Sequence, residues 1–331
     1  MHCRSLSIYH SGEFIGQTPM LVPAFSGSVY SDIDKVVKFM EEFITDQILI
    51  SAYDIHYNKL KTIPTYAELI FLDSGGYEIS KEGDLSELGN IDPEEKKKDP
   101  KKLQEWKEEL YSKVLKEWPS DIPTSHTVAV SYDHPSRRQP IEDQVKNAMQ
   151  LFAARDDMLK EILLKPETAA LYLPINSIID HIELLQQFDI VGLTEKELGK
   201  STLDRMLSIG KIRKAMDEKG IICPLHIFGS LDTVSTPLYF IAGADIFDGL
   251  TWLRYSYMDG LTVYWQNCGA ITNIATPDRQ IRSKILSDNI NYLSYLRSEM
   301  LNYSHDGDFN HFGHHSMLLK KSYDTFLSRL K

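Results

Sequence analysis

The chain has 331 residues, 42% of them hydrophobic, and a formal net charge of -11 at pH 7. This length and apolar content are sufficient for one large buried core and exclude a disordered or fibrous chain. The acidic charge argues against a broadly basic nucleic-acid surface, although it is compatible with a local basic track.

The chain shows no membrane or export signal. No apolar stretch approaches the ~20 residues that span a bilayer, and the segment from Met1 to Ser5 lacks an apolar signal core. We therefore expect no membrane partner and a cytoplasmic location. The three cysteines, Cys3, Cys223 and Cys268, are too scattered for a disulfide framework or a CxxC metal site, so we interpret them as free thiols.

Eight short apolar runs, most of them closed by a polar residue or glycine, are predicted to be buried parallel strands. In chain order they are 21–25, 47–52, 67–73, 127–132, 170–174, 189–193, 225–229 and 243–250. Helix-length segments lie between most of them, so the pattern predicts an α/β fold, a (β/α)8 TIM barrel. The rival is an open doubly wound sheet, but no GxGxxG motif opens a helix after the first strand.

Residues 81–124 interrupt this alternation between the third and fourth strands as a charged helical insertion. The mixed-charge run 94–102 is followed by apolar residues at helical spacing, from Trp106 to Trp118. The insertion is either a surface helical hairpin or a lid over the barrel mouth.

The C-terminal part begins with helical periodicity from Ile281 to Met300, which closes a barrel domain of residues 1–300. Residues 301–331 are predicted to form a His-rich loop and a last helix, from Met317 to Leu330. The loop, 305–315, contains four histidines and two aspartates, which are transition-metal ligand types. It lacks an HExxH register, however, and its glycines favour a flexible loop without metal.

Two aspartates stand at the ends of two strand-like runs: Asp73 before Ser74-Gly75-Gly76-Tyr77, and Asp248 after Ile246-Phe247. Asp133 follows a third run. In a TIM barrel the carboxyl ends of all strands meet at one face, where the catalytic residues lie. The sequence therefore predicts carboxylate chemistry at the barrel mouth.

These motifs resemble the tRNA-guanine transglycosylase superfamily, which also includes enzymes that act on DNA. The resemblance runs from Thr18-Pro19-Met20-Leu21-Val22-Pro23, through the Asp73 motif, to His226-Ile227-Phe228-Gly229 and Phe247-Asp248, and it covers about residues 18–300. It is closer to the archaeosine branch than to the queuine branch. It implies a (β/α)8 barrel that exchanges a guanine in a polynucleotide for a 7-deazaguanine base without breaking the backbone.

The resemblance also implies roles for the two aspartates. Asp248 would attack the sugar C1′ of the target guanosine and form a covalent glycosyl-enzyme intermediate. Asp73 would act as general acid and base, first helping guanine to leave and then taking a proton from the incoming base. A retaining glycosidase divides a difficult displacement between two carboxylates in the same way.

Further residues match the family's substrate contacts. Aromatic rings at two positions would sandwich the purine, a carboxylate would accept its N–H groups, and neighbouring positions would contact the base or the polymer. The base-binding set is Tyr77, Asp133, Asn176, Gly192, Leu193 and Phe228, and the nucleic-acid-binding set is Arg254 and Ser74. Asn176 would take the place of a family glutamine that hydrogen-bonds to the base carbonyl.

Departures from the family guide the choice of substrate. The zinc-binding cysteines are missing, since only Cys268 follows Asp248, and Asn289 stands near the expected histidine ligand. We therefore expect neither metal nor cofactor. At a position shortly after Arg254, where the family has a basic residue, this chain has Tyr257. Loss of these contacts favours DNA over tRNA as substrate, as in DNA-guanine transglycosylases of the DpdA type, with 7-cyano-7-deazaguanine as the incoming base.

Three alternatives remain open. The chain could act on tRNA, it could be a noncatalytic subunit of such an enzyme, or it could be an unrelated barrel hydrolase of small nucleosides. A homodimer and an accessory protein are both compatible with the resemblance.

Overall fold

The computed structural model describes residues 3–30, 32–79, 104–120, 122, 125–134, 138–167, 170–272 and 278–330, with residues 278 and 279 described by their backbone alone. Among these residues, no helix is long and apolar enough to cross a membrane.

An antiparallel hairpin precedes a barrel of eight parallel strands. The hairpin strands are β1 (Ser7–His10) and β2 (Glu13–Gln17). The barrel strands are β3 (Met20–Pro23), β4 (Gln47–Ser51), β5 (Leu69–Asp73), β6 (His126–Val130), β7 (Leu159–Leu164), β8 (Ile190–Thr194), β9 (Leu225–Phe228) and β10 (Ile246–Gly249). Their order is β3-β10-β9-β8-β7-β6-β5-β4, and β3 meets β4 where the Phe25 N–H donates to the Leu49 carbonyl at 2.9 Å. The prediction of a (β/α)8 barrel is confirmed.

Helices surround this barrel and follow most of its strands. They are α1 (Ile33–Phe39), α2 (Ala52–His56), α3 (Gly76–Ile79), α4 (Glu108–Glu117), α5 (Ile141–Phe152), α6 (Ile175–Asp180), α7 (Thr202–Glu218), α8 (Ser235–Ala242), α9 (Thr251–Arg254), α10 (Trp265–Thr272), α11 (Asp278–Asp306) and α12 (Ser316–Arg329). A second hairpin, β11 (Tyr255–Met258) and β12 (Leu261–Tyr264), separates α9 from α10.

The strand residues alternate between two cores, as the two-residue period of a strand requires. One set fills the barrel interior and includes Phe71, Val128 and Ile190. The other set, with Leu72 and Val191, packs against the surrounding helices. Both faces of the sheet are therefore buried, which explains the nearly continuous apolar runs of the strands.

One predicted strand was wrong. Residues 170–174 form a loop, and the fifth barrel strand is β7, Leu159–Leu164. Lys160 and Glu161 interrupt the apolar pattern of β7, so this strand does not appear as a continuous hydrophobic run. Glu161 nevertheless lies inside the barrel with no exposed surface.

The described part of the insertion packs against the barrel. Tyr111 of α4 is fully buried and its hydroxyl donates to the Val130 carbonyl at the end of β6. Trp118 donates through its indole N–H to Thr127 Oγ1 at 3.0 Å. Among the described residues between β5 and β6, helix α4 thus packs on the barrel. The lid interpretation depends on residues 81–103, which lie outside the described residues.

Most of the His-rich segment, predicted as a loop, is helical in the structure. Helix α11 continues through residue 300 to Asp306, and 3-10 turns follow over Phe309–His315 with a kink at Gly313, where φ is +48°. The rings of Phe309 and Phe312 lie 4.8 and 5.1 Å from that of Tyr303, and these aromatic contacts hold the segment in place. Within the described chain, no group of three or more His, Cys, Asp or Glu side chains could hold a metal ion.

Candidate active site at the barrel mouth

The structure brings the predicted carboxylates to one end of the barrel. Asp73 is the last residue of β5, Asp248 is the third residue of β10, and Asp133 lies three residues beyond β6. Above them Arg254 donates through Nη2 to the Tyr77 hydroxyl, with its guanidinium carbon 6.0 Å from the centre of the Tyr77 ring. The segments that follow β5 and β10 therefore meet across the mouth.

Asp248 is held on one oxygen by two neighbouring groups. The side chain points into the barrel, and the residue is only 6% exposed. Its Oδ1 accepts a hydrogen bond from the Gly229 N–H at 3.1 Å and lies 3.3 Å from His226 Nε2. Gly229 has a φ of +82°, a conformation that glycine adopts without strain.

His226 links Asp248 to a second buried carboxylate. Its Nδ1 lies 2.7 Å from Glu161 Oε1, and neither residue has exposed surface. Burial lowers the pKa of His226, but the charges and hydrogen bonds of Glu161 and Asp248 outweigh it and raise this pKa to about 9. Burial raises the pKa of Glu161, and the His226 charge opposes that shift. The two carboxylates thus favour the charged imidazolium form of His226.

Sequence reasoning missed Glu161 and gave His226 no role of its own. Glu161 was overlooked because the strand that carries it was not recognised. The available signal was a charged pair, Lys160-Glu161, just before the apolar residues Ile162-Leu163-Leu164. A carboxylate inside a buried strand needs a partner or a function, because burying an unpaired charge is costly.

Asp73 occupies a different environment. Asp73 keeps part of its surface exposed, but the burial of its carboxyl group, followed by the neighbouring carboxylates Glu78, Asp248 and Asp133, raises its pKa to about 8, although the Gly75 N–H donates to its Oδ2 at 3.0 Å. Glu78 accepts hydrogen bonds from buried serine hydroxyls, and burial together with Asp54 raises its own pKa to about 7. Asp73 is therefore mostly protonated at neutral pH and can donate a proton.

Asp133 belongs to a charged cluster. Its carboxylate lies 3.3 Å from Lys165 Nζ and 3.5 Å from Arg138 Nη1, and Lys165 also lies 2.8 Å from Glu197 Oε2. The Asp133 N–H donates to Ser74 Oγ at 3.0 Å. Ser74 is fully buried, so it positions Asp133 and offers no surface to a polymer. This internal role replaces the polynucleotide contact that the resemblance implies.

Asn176 is the predicted base-contact residue that the structure does not bring to this cluster. It is exposed in the first turn of α6, and within the described residues no hydrogen bond or ion pair joins it to Asp133. The cause is the misplaced fifth strand. With β7 at Leu159–Leu164, the residue at the carboxyl end of the fifth strand is Lys165.

Gly192 and Phe228 contact each other inside the barrel. A Cβ atom at Gly192 would lie 2.6 Å from Phe228 Cε2 and 2.9 Å from Glu161 Oε1, so this position has no room for a side chain. The Phe228 ring also stacks on His226, with centroids 4.0 Å apart. Leu193 points to the outer core and is fully buried, so only its backbone can face the mouth.

We expect Gly192→Ala to displace the Phe228 ring and lower the free energy of unfolding by about 1–3 kcal/mol, the usual cost of overpacking. Urea denaturation measures this loss. The double variant with Phe228→Leu should recover part of it, because the smaller side chain relieves the contact. If the losses in unfolding free energy of the two single variants simply add in the double variant, the Phe228 ring is not what excludes a side chain at Gly192.

Three arginines that could have formed a basic track are engaged within the molecule. Arg138 pairs with Asp133, Arg213 is fully buried and pairs with Asp245, and Arg297 donates to the Pro19 carbonyl at 2.8 Å. These contacts leave less positive charge for a polymer than the sequence indicates.

The second hairpin is fastened to α11 by an amide side chain. Asn289 is fully buried, accepts a hydrogen bond from the Tyr257 N–H at 2.8 Å and donates to the Trp252 and Tyr255 carbonyls, each at 2.7 Å. Tyr257 is also buried, and its hydroxyl donates to the Leu231 carbonyl. Asn289 and Tyr257 therefore both have structural roles in this chain.

Comparison with known proteins gives no assignment for this site. The chain matches no protein-family model, and it has no significant match among curated proteins.

Proposed function

We propose that the chain is a base-exchange transglycosylase that replaces a guanine in a polynucleotide with a 7-deazaguanine base through a covalent intermediate on Asp248. The observation that carries the proposal is the contrast between two carboxylates at one barrel mouth. Asp73 has a pKa raised to about 8, whereas Asp248 is held by the Gly229 N–H and lies beside the His226 imidazolium. Two carboxyl groups in different environments can divide acid and nucleophile roles between them.

The reaction would proceed in two displacements at one carbon atom. An Asp248 oxygen attacks C1′ as the bond from C1′ to the guanine breaks, and Asp73 gives its proton to the departing base. The incoming base then loses a proton to Asp73 and attacks C1′, which releases the Asp248 carboxylate. Each displacement inverts the configuration at C1′. The two together therefore retain the configuration of the sugar.

The neighbouring residues supply elements of a purine pocket. Tyr77 and Phe228 offer aromatic rings, and Asp133 offers an acceptor for the base N–H groups. Lys165 replaces Asn176 as the proposed donor to the base carbonyl, because it lies at the end of β7 and 3.3 Å from Asp133. The base N–H groups would join Lys165 and Arg138 as partners of the Asp133 carboxylate, so a base that lacks these donors would bind less tightly.

For the polymer, we propose DNA over tRNA and 7-cyano-7-deazaguanine as the incoming base. Support comes from Asn289 and Tyr257, which hold the second hairpin through hydrogen bonds where the family has a zinc ligand and a basic contact. Arg254 at the mouth is the proposed contact to the polymer. A target base in a duplex would have to be flipped out of the stack to reach Asp248. A cytoplasmic location, with a second copy of the chain or an accessory protein as partner, completes the proposal.

A second candidate is a hydrolase of small nucleosides. The engagement of Arg138, Arg213 and Arg297 within the molecule and the net charge of -11 favour this alternative, because a small substrate needs no basic track. It would use the same two carboxylates, with water as the acceptor.

A third alternative is a noncatalytic subunit. Such a subunit has no use for a proton held on Asp73 at neutral pH, so the raised pKa of Asp73 argues against it.

The deciding experiment incubates the protein with radiolabelled guanine and, separately, duplex DNA, single-stranded DNA or unmodified tRNA. Label in acid-precipitable DNA is the expected result, and label in tRNA alone would reject DNA as the substrate. Release of free guanine from nucleosides without any label in a polymer would establish the hydrolase. Neither activity would indicate a noncatalytic subunit.

We expect Tyr77→Ala to raise the KM for the incoming base by about 10-fold or more, because stacking on an aromatic ring contributes about 1–3 kcal/mol per base. The KM for the polymer should change much less. Steady-state exchange kinetics measure both constants. Tyr9→Ala is the matched control, since Tyr9 is an exposed tyrosine on the first hairpin. Equal increases in both KM values for Tyr77→Ala would contradict the stacking role.

A further inference from the structure

Three side chains form a continuous buried path inside the barrel. Glu161 of β7, His226 of β9 and Asp248 of β10 all point inward, with contact distances of 2.7 Å and 3.3 Å between successive groups. Glu161 and His226 have no exposed surface. The path therefore runs from the barrel interior to the carboxylate proposed as nucleophile.

The intervening strand leaves room for this path. In the sheet β8 lies between β7 and β9, and Gly192 of β8 is in register with both Leu163 and His226. Any Cβ atom at Gly192 would lie 2.9 Å from Glu161 Oε1. A glycine at this position thus allows Glu161 to reach across one strand to His226.

This arrangement is not explained by stability alone. Two charges with no contact to water carry a large desolvation cost, and apolar side chains of similar volume are often as stable or more so. In addition, Glu161 Oε2 and His226 Nε2 are buried, and neither has a hydrogen-bond partner within the described residues. A costly buried charge beside a candidate nucleophile is therefore better explained by what it does to that nucleophile.

The contacts to Asp248 show what this effect would be. Among the described residues, His226 Nε2 and the Gly229 N–H both approach Oδ1 of Asp248. The carboxylate is thereby fixed through one oxygen, and Oδ2 is left to react. Glu161, on the other side of the imidazole, contacts Nδ1 at 2.7 Å and fixes the orientation of the ring, so that Nε2 faces Asp248 Oδ1 at 3.3 Å as a charge contact without hydrogen-bond geometry.

We propose that Glu161 and His226 are positioning residues that hold Asp248 through Oδ1 and present Oδ2 to the sugar carbon, a role that rests on the function proposed above. Neither residue touches the substrate. Their effect is exerted through the charge and orientation of the imidazolium.

The test compares Glu161→Gln, His226→Gln and wild type in guanine exchange. Each variant keeps a similar shape but removes the buried charge pair. We expect kcat to fall by about 10- to 100-fold at pH 7, the usual effect of removing a supporting partner, with KM for the base changed less than about twofold. Glu195→Gln is the matched control, because Glu195 pairs with Arg205 and Tyr239 away from Asp248.

A second readout does not depend on activity. Nitrogen-15 NMR of the imidazole reports the protonation of His226, whose signal among the 11 histidines is assigned by its loss in His226→Gln. The charged or titratable groups around the ring are Glu161 on β7 and Asp248 on β10, with Tyr111 of α4 close to Glu161. We expect an imidazolium at pH 7 in wild type and a neutral ring in Glu161→Gln.

The outcomes separate this role from the proposed function. An unchanged kcat in both variants, with active wild type, would overturn the positioning role and leave the exchange activity standing. A neutral His226 in wild type at pH 7 would overturn it independently of any assay. If the wild-type protein shows no exchange activity but has a charged His226, the proposed function is overturned. The positioning role falls with it, whereas the charged pair of Glu161 and His226 is confirmed.

Discussion

Replacing Asp248 by asparagine is expected to abolish base exchange, with kcat reduced by about 10⁴-fold or more, as for the loss of other catalytic nucleophiles. The amide cannot form the glycosyl ester that the mechanism requires. It can still occupy the same position, because its carbonyl oxygen can accept the hydrogen bond from the Gly229 N–H. The variant should therefore fold and bind polymer while failing to form any complex that resists denaturation.

The measurement combines label incorporation with gel electrophoresis under denaturing conditions. Asp324→Asn is a suitable control, because Asp324 is an exposed residue of α12 away from the mouth. Full exchange activity in Asp248→Asn would remove Asp248 as the nucleophile. A normal yield of denaturation-resistant complex would have the same consequence.

Replacing Asp73 by asparagine is expected to lower turnover by about 10²- to 10⁴-fold, the range for loss of a general acid or base. The same change should stabilise the fold at alkaline pH. The folded protein holds the Asp73 proton up to a pKa of about 8, whereas the ordinary value is 3.8. Between these pH values the folded state binds one more proton than the unfolded state, so Asp73 makes stability fall as pH rises.

Asparagine carries no charge and removes this pH-dependent loss. At pH 9 we expect a gain of about 1 kcal/mol or more, which corresponds to roughly 2–4 °C in Tm per kcal/mol for a large domain. The gain should vanish near pH 4. Thermal unfolding of wild type and variant at both pH values measures it. An unchanged or lower Tm at pH 9, or wild-type turnover, would contradict the environment and role given to Asp73.

The pH dependence of wild-type exchange follows from the same group. The first displacement needs Asp73 in its protonated form, so kcat/KM should fall as pH rises through about 8. Asp73→Asn should lack this alkaline decline in whatever activity it retains. A rate that stays constant from pH 7 to pH 9 in wild type would contradict the proton donor.

The barrel and the location of its carboxylates could be predicted from the sequence because both depend on local patterns. Strands buried on two faces are short apolar runs, and the polar residues that close them, such as Asp73, lie at a common face in a parallel barrel. The fifth strand could not be found in this way, because Glu161 breaks its apolar run. That error also placed Asn176 where the structure has Lys165.

The partners of each site residue were harder to predict, because they come from distant parts of the chain. Glu161 and His226 are 65 residues apart in sequence and meet only across the glycine of an intervening strand. The burial of Ser74 and the ion pairs of Asp133 depend equally on the packing of several strand ends. Such contacts have no local signature in composition or periodicity.

The most direct test of the account is to identify the residue that carries the sugar during turnover. Wild-type protein would be quenched with its polymer substrate under denaturing conditions, digested with protease and nuclease, and analysed by mass spectrometry. We predict a nucleotide-modified peptide with the adduct on Asp248. An adduct on Asp73, or active exchange without any adduct, would contradict the covalent mechanism proposed for this barrel.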